Sequence, residues 1–492
     1  MNAAPPRFLG LTSAQAVIFV IAVATAFRFF YCVWLPLLPD EAYYFQWSRH
    51  LDASYYSKGP AVAYTIAAGT ALWGGNNFGI RFFAVLLSAG TAWQIFLLAR
   101  RWYDETTGLL AVLITGVVPI YAVGAVVMTI DPLSAFFWIW AANHFSCAVQ
   151  EDRLGDWILA GFAIGSGFLA KYLNALELVT FLLFLLLVPD RRGLLLRRGF
   201  WLMLVVAVFC TTPVWWWNLR NGWVSAVQLE NRGRLNEPFG LHFSTFLNFL
   251  DLQALVISPL LFLTLLATAT GLLARRLGGR STTENEGDLL LLLLFLPVFL
   301  FYAVLAWHLQ GEPNWPAISY LGLIIVLASY WRRILASRAA RLFVAAAFVM
   351  AWIQTVLMHD PELLHLPQKL DPMSRFVGWS QIADRLDQLQ QEQQADVLIA
   401  DAYKEAAIFS FHLPNHKFIY VLRHYPPANQ YDFWPGYGAM THPPHCALWI
   451  TGEATTKALQ GEFNTITPIE HMVVSFRGRP FRQYTVYRCE NK

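Results

Sequence analysis

A chain of 492 residues that is 57% hydrophobic and only 14% charged, with a mean hydropathy of +0.44, is too apolar for a string of soluble domains, so its main solvent is lipid. The formal net charge of +3 comes from short basic clusters between apolar runs. They form no continuous basic stripe, which argues against a nucleic-acid partner.

A hydrocarbon core of roughly 30 Å takes about 20 apolar residues in a helix, and on that measure about eleven spans stand out. They run over 13–36, 80–99, 107–124, 130–149, 157–170, 173–189, 199–217, 249–273, 288–306, 314–330 and 340–358. The first continues into Trp34, Leu35 and Leu37 without a small-residue cleavage site, so it reads as a retained helix. Alternate loops are basic: Arg100 and Arg101, then Arg153, then Arg191, Arg192, Arg197 and Arg198, then Arg275, Arg276 and Arg280, then Arg332, Arg333, Arg338 and Arg341. These loops are expected in the cytoplasm, which leaves the 37–79 segment, the turn before Asp131, the 218–248 loop and the 307–313 loop outside. An odd number of spans then exports the C-terminus.

From His359 onward the apolar runs shorten and polar residues return. The pattern predicts a helix over 374–393 and strands at 397–400, 418–421, 447–451, 472–476 and 484–487, with a Pro- and Gly-rich connection at 424–444. The expected division is a transmembrane domain over 1–358, with an outer-face loop at 37–79, and an extracytoplasmic α/β domain over 359–492. Cys32, Cys147 and Cys210 lie in spans and read as small apolar fillers. Cys446 and Cys489 are candidates for a disulfide or, alternatively, two buried thiols.

The segment after the first span is the most informative. It carries Asp40-Glu41-Ala42-Tyr43-Tyr44, then Asp52, then Tyr55-Tyr56-Ser57-Lys58-Gly59-Pro60. Two readings stand side by side. A carboxylate at this interface suits removal of a proton from an acceptor hydroxyl, with Lys58 holding a phosphate as a point charge; alternatively Asp40 and Glu41 cap an interfacial helix over 42–50. Asp131, Lys171 and Arg81 fall on the same outer face, which favours one aqueous pocket. Trp215, Trp216 and Trp217 can anchor the loop bearing Arg220, Arg232 and Arg234, for which solvation is the plainer role. His308, Glu312 and Asn314 offer mixed ligands for a divalent metal, without the spacing of a dedicated site. No Walker motif, His-Glu-x-x-His or serine elbow is present. Chemistry outside the cytoplasm then calls for an activated donor resident in the membrane, and a polyprenyl-phosphate sugar meets that need.

These residues resemble the bacterial GT-C glycosyltransferases related to protein O-mannosyltransferases, lipid A aminoarabinose transferase and rhizobial lipid A galacturonosyltransferases. The resemblance runs through Asp40-Glu41, residues 55–60, Asn76-Asn77-Phe78-Gly79-Ile80-Arg81, Met128-Thr129-Ile130-Asp131-Pro132 and Ala170-Lys171. It continues through Asn221-Gly222-Trp223, Glu312-Pro313-Asn314-Trp315-Pro316, Asp371-Pro372, Gly378-Trp379 and Asn429-Gln430-Tyr431-Asp432-Phe433-Trp434. It implies a polytopic α-helical membrane protein of GT-C type with a C-terminal soluble α/β domain, located in the bacterial inner membrane with a cytoplasmic N-terminus and a periplasmic C-terminal domain. The implied activity is sugar transfer from a polyprenyl phosphate to lipid A or another envelope glycolipid, with exported protein as second acceptor. No cofactor is fixed by it, and a divalent metal stays open.

By the resemblance Asp40 is the catalytic base, Glu41 supports it and Asp131 orients donor or acceptor, while Lys58, Arg81 and Lys171 are candidates for the donor phosphate. Tyr43, Tyr56, Arg232, Arg234, His308, Glu312 and Asn314 are further candidates for substrate contact. Two departures point to a different acceptor or donor headgroup: the aminoarabinose transferases have an Arg where this chain has Tyr43, and an acid where it has Ser57. A transporter remains a competing class, but repeated halves and mid-bilayer charges in broken helices are not evident. A scaffold for envelope assembly is a third reading, in which the charged loop residues are dispensable.

Overall fold

The computed structural model describes residues 11–278, 286–364, 366–368, 371–422, 424, 426–439, 444–452 and 462–490. Arg280 and parts of the 424–444 connection lie outside the described residues. The chain forms two compact units, one comprising residues 1–34, 52–54 and 58–359, the other 35–51, 55–57 and 360–492. The segment after the first helix is thus divided between them.

The first unit is helical. In chain order it contains α1 (Ser13–Trp34), then, beyond α2 (Pro39–Arg49) of the second unit, α3 (Ala61–Trp73), α4 (Asn77–Trp102), α5 (Glu105–Val117), α6 (Pro119–Gly124), α7 (Ile130–Glu151) and α8 (Leu154–Ala170). There follow α9 (Leu176–Leu187), α10 (Arg198–Arg220), α11 (Val224–Arg232), α12 (Phe243–Ile257), α13 (Pro259–Leu277), α14 (Glu286–Leu305), α15 (Tyr320–Ile334) and α16 (Arg338–His359). Among the described residues, seven helices are long and apolar enough to cross a membrane by themselves, and several shorter apolar helices accompany them. This is a multi-pass membrane architecture.

Local chemistry explains the boundaries. Asn76, Asp104 and Thr129 each turn a side-chain oxygen onto a backbone N–H of the following first turn, starting α4, α5 and α7. The expected single span over 249–273 is divided into α12 and α13 at Ser258, whose φ of 89° lies in the left-handed region. Pro259 supplies no N–H and disfavours a helical conformation in the residue before it, so the apolar run breaks there. Between α7 and α8 the turn is short: Asp152 takes a left-handed φ of 50° and its N–H closes on the Ala148 carbonyl.

The second unit carries α2, α17 (Trp379–Glu392), α18 (Tyr403–His412) and five strands, β1 (Val397–Ala400), β2 (Tyr420–Val421), β3 (Cys446–Thr451), β4 (Thr465–Phe476) and β5 (Arg479–Glu490). The sheet order is β2-β1-β3-β5-β4, parallel from β2 to β3 and antiparallel from β3 to β4. On one sheet face Val397, Ile399, Ala447, Trp449 and Cys489 pack together. Trp379, Phe409 and Tyr484 make edge contacts that tie α17 and α18 to β5. The expected strands are present, with β4 and β5 longer than the sequence pattern suggests; α18 is an addition.

Cys446 and Cys489 are not bridged; both are buried free thiols. The β3/β5 register is the reason: Cys446 lies opposite Glu490 and Ala447 opposite Cys489. Because alternate residues of a strand point to opposite faces, the two sulfurs belong to opposite sides of the sheet. Burial pushes the Cys489 thiol up to about 12, so it stays protonated at neutral pH.

Candidate functional site

In the helical unit the polar residues gather around one carboxylate. Thr129 accepts the Asp131 backbone N–H at 3.2 Å, so Asp131 projects from the first turn of α7. Its Oδ1 receives Lys171 Nζ at 2.9 Å and its Oδ2 receives Asn314 Nδ2 at 2.7 Å. The ammonium of Lys58 acts on the same carboxylate through its charge. The Asp131 side chain is 26% exposed, and cations and N–H donors replace the part of its hydration that packing removes.

Each partner is held from behind. Lys171 caps the end of α8, and its Nζ also donates to the Trp315 carbonyl at 3.3 Å. Just beyond it, buried Asn174 accepts from Ser134 Oγ at 2.6 Å and returns a bond to the Ser134 carbonyl at 3.1 Å, fixing the 172–175 turn to α7. The loop that presents Asn314 is pinned by Gln253 of α12, which donates to the Pro313 carbonyl at 3.1 Å and accepts from Tyr320 at 3.0 Å. Lys58 is placed by its neighbour: a Cβ on Gly59 would lie 2.2 Å from the Leu169 carbonyl oxygen, so only glycine lets this backbone run against the end of α8.

The other expected residues of this unit divide. Arg81 is fully buried and donates to the Cys32 carbonyl at 3.0 Å, a bond that ties α4 to α1, so it does not line an aqueous pocket. Arg232 is exposed, with its guanidinium 5.1 Å from the Trp315 ring centre. Arg234 is exposed and points toward Glu237, and its carbonyl accepts from His308. His308 also accepts the Gly240 N–H at 3.0 Å, so both ring nitrogens are engaged by backbone, which leaves neither for the metal that His308, Glu312 and Asn314 could have shared. Asn314 instead serves Asp131, and Glu312 is exposed.

In the second unit Asp40 and Glu41 have different fates. Asp40 is open to solvent, its side chain 56% exposed, and Oδ1 accepts Lys404 Nζ of α18 at 2.9 Å. Glu41 is fully buried and accepts the Leu38 N–H at 3.1 Å, which makes it the cap of α2. Tyr43 is also buried, as a packing residue: its hydroxyl accepts the Gln430 N–H at 2.7 Å, and its ring lies 4.5 Å from that of Tyr403 and 5.0 Å from that of Trp47. Burial holds the Tyr43 phenol well above its usual range, so it stays neutral. The Tyr56 backbone donates to Gln430 Oε1 at 2.7 Å, and the Tyr56 ring faces Phe433 at 6.1 Å.

Four residues with structural leverage on these groups were missed from the sequence: Gln253, Asn174, Gln430 and Lys404. Gln253 and Asn174 had only a weak signal, an amide in a largely apolar stretch, which neighbours such as Asn248, Asp251 and Glu177 share. Lys404 had none, because its partner lies far away in sequence.

The model of the family described as dolichyl-phosphate-mannose-protein mannosyltransferase matches residues 57–217, which include Lys58, Arg81, Asp131 and Lys171. The lipid A galacturonosyltransferase of Rhizobium johnstonii is 26% identical over 367 residues, covering 74% of this chain and 74% of its own. The undecaprenyl phosphate-alpha-4-amino-4-deoxy-L-arabinose arabinosyl transferase of Edwardsiella ictaluri is 28% identical over 345 residues, 63% of this chain and 59% of its own. Among solved structures, ArnT from Cupriavidus metallidurans bound to undecaprenyl phosphate aligns over 96% of this chain and 97% of its own, with a TM-score of 0.65 at 17% identity. The oligosaccharyltransferase of Archaeoglobus fulgidus aligns over 81% of this chain and 63% of its own, with a TM-score of 0.54 at 13% identity.

Proposed function

We propose that the chain is a membrane glycosyltransferase of the GT-C superfamily that moves a sugar from a polyprenyl-phosphate donor to an envelope acceptor, with lipid A favoured. The observation that carries the reading is the polar cluster at the ends of apolar helices: Asp131 locked by Lys171 and Asn314, with Lys58 beside them. A cation held at such a position suits a lipid phosphate, which arrives with its chain in the bilayer and its charge at the surface.

Within the helical unit the proposal gives Lys58 the donor phosphate, as the point charge that stabilises it as it departs. Asp131 and Lys171 keep the surrounding backbone in place, and Arg81 secures α4 to α1. Within the second unit Asp40 takes the proton from the acceptor hydroxyl as that oxygen bonds to the anomeric carbon and the carbon–phosphate oxygen bond breaks. Its exposure supports this role, since an acid buried under partners has little room for a substrate.

The proposed placement is the bacterial inner membrane with eleven crossings, by α1, α4, α5, α7, α8, α9, α10, α13, α14, α15 and α16. The N-terminus is then cytoplasmic, and the sheet-bearing domain over 359–492 lies outside. The names of the Rhizobium and Edwardsiella relatives support lipid A as acceptor and undecaprenyl phosphate as carrier. Mass spectrometry of lipid A, other envelope lipids and exported proteins from cells with and without the chain tests the proposal. A sugar mass on lipid A that depends on the chain is expected; a mass found only on protein would replace the acceptor, and no difference in any fraction would overturn the transfer reading.

A further inference from the structure

The far end of α7 carries a second cluster of chemically reactive groups, independent of the transfer reaction. His144 and Cys147 lie one turn apart on α7, and Asp156 stands in the first turn of α8. One ligand atom from each of the three lies within 4.8 Å of the others. His144 Nδ1 is 2.8 Å from Asp156 Oδ1, and the two side chains are only 23% and 15% exposed. Asp131 is thirteen residues earlier on α7, which at 1.5 Å per residue puts this cluster about 20 Å away along the helix.

The residue types decide the ligand class. A thiolate, a carboxylate and a neutral imidazole together carry two negative charges, which balance a divalent cation. Sulfur and imidazole nitrogen select an ion of zinc type over magnesium or calcium, which prefer all-oxygen shells. Ligand atoms around a tetrahedral ion with bonds of about 2.0–2.3 Å stand about 3.3–3.8 Å apart, so small side-chain rotations close the present spacing. Three protein ligands leave the fourth position to water.

Aromatic packing and a hydrogen bond hold the scaffold beside the cluster. Trp157 donates to Asp152 at 3.1 Å and meets Phe145 edge-on at 5.9 Å, clamping α7 to α8 next to the ligands. Trp140 covers His144 at 5.8 Å. Arg101, the neighbouring cation, is engaged by Gln150 at 3.1 Å and Glu151 at 3.3 Å. A hydrogen-bonded His–Asp pair at a helix turn would explain two of the residues, but not the thiol brought within 4.8 Å of both.

We propose that His144, Cys147 and Asp156 form a binding site for one divalent ion of zinc type, which cross-links α7 and α8 at the end opposite Asp131 and Lys171. Binding releases the thiol proton and is therefore weaker at low pH.

Titration of the full-length chain in detergent with Co²⁺, as a coloured substitute for zinc, is expected to give a thiolate-to-cobalt charge-transfer band that saturates at one equivalent. Cys147→Ser should remove the band, and His144→Ala or Asp156→Ala should weaken binding by about tenfold or more. A band absent from the wild-type chain, kept by Cys147→Ser, or rising through several equivalents would overturn the proposal. A second measurement needs no variant: alkylation mapped by mass spectrometry with and without Zn²⁺. Protection of Cys147 by zinc is expected, and equal labelling in both samples would overturn the site.

Discussion

The two candidate carboxylates sit in opposite environments. Asp131, in the helical unit, is fixed by Lys171 at 2.9 Å and Asn314 at 2.7 Å, with Lys171 itself buried. Asp40, in the second unit, is mostly exposed and meets one exposed lysine, Lys404. A buried ion pair becomes costly when one member is removed, because the other is left charged without water; an exposed pair is cheap to lose because water takes its place. The contrast separates a carboxylate whose removal strands a buried cation from one whose partner keeps its access to water.

The contrast is sharpest under truncation. Asp131→Ala leaves Lys171 buried without its counter-charge and should destabilise the helical unit by about 3–5 kcal/mol, seen as a large drop in the melting midpoint of the purified chain. A midpoint unchanged from wild type would mean that water already reaches this pair. Next in size is Gly59→Ala, whose new methyl would meet the Leu169 carbonyl at 2.2 Å. Backbone cannot rotate away as a side chain can, so a loss of about 1–3 kcal/mol is expected, with reduced transfer as Lys58 is displaced.

Smaller effects are expected in the second unit. Burial holds the imidazoles of His50 and His412 below the usual value of 6.5. The unfolded chain therefore binds protons more readily than the folded unit, so its stability is full above pH 6.5 and falls as the pH drops below that value. Melting followed through tryptophan fluorescence between pH 7.5 and about 5 checks the sign; a rise on acidification would contradict it. Smallest is Lys404→Ala, which should change the midpoint by less than about 1 kcal/mol equivalent, because both ends of the pair are solvated.

Much of the helical unit was legible in the sequence, because the bilayer demands long apolar runs and such runs have few other uses. The helix α3 escaped because its thirteen residues fall short of a span. The break at Ser258 was hidden in a run whose composition stayed apolar, although Pro259 marked it. In the second unit the apolar stretch Ala406–Phe411 forms a helix, α18, that short-run reasoning passed over.

At the site, Asp131 and Lys171 stood out as charges at the ends of apolar runs, and the structure joins them directly. Asn314, the second partner of Asp131, was singled out for substrate or metal contact, since no local pattern reveals a bond to a residue 183 positions away. Arg81 shows the limit of reading charge as exposure: it is fully buried, with a backbone carbonyl of α1 as acceptor. Glu41 turned out to be the helix cap that the adjacent acids allowed, while Asp40 did not.

The most direct test is to measure Asp40→Asn and Asp131→Asn side by side for product by mass spectrometry and for melting midpoint. The account predicts that Asp40→Asn lowers transfer by about 10²–10⁴-fold at an unchanged midpoint, whereas Asp131→Asn lowers the midpoint itself. Full transfer by Asp40→Asn, or an equal loss of stability in both variants, would contradict it.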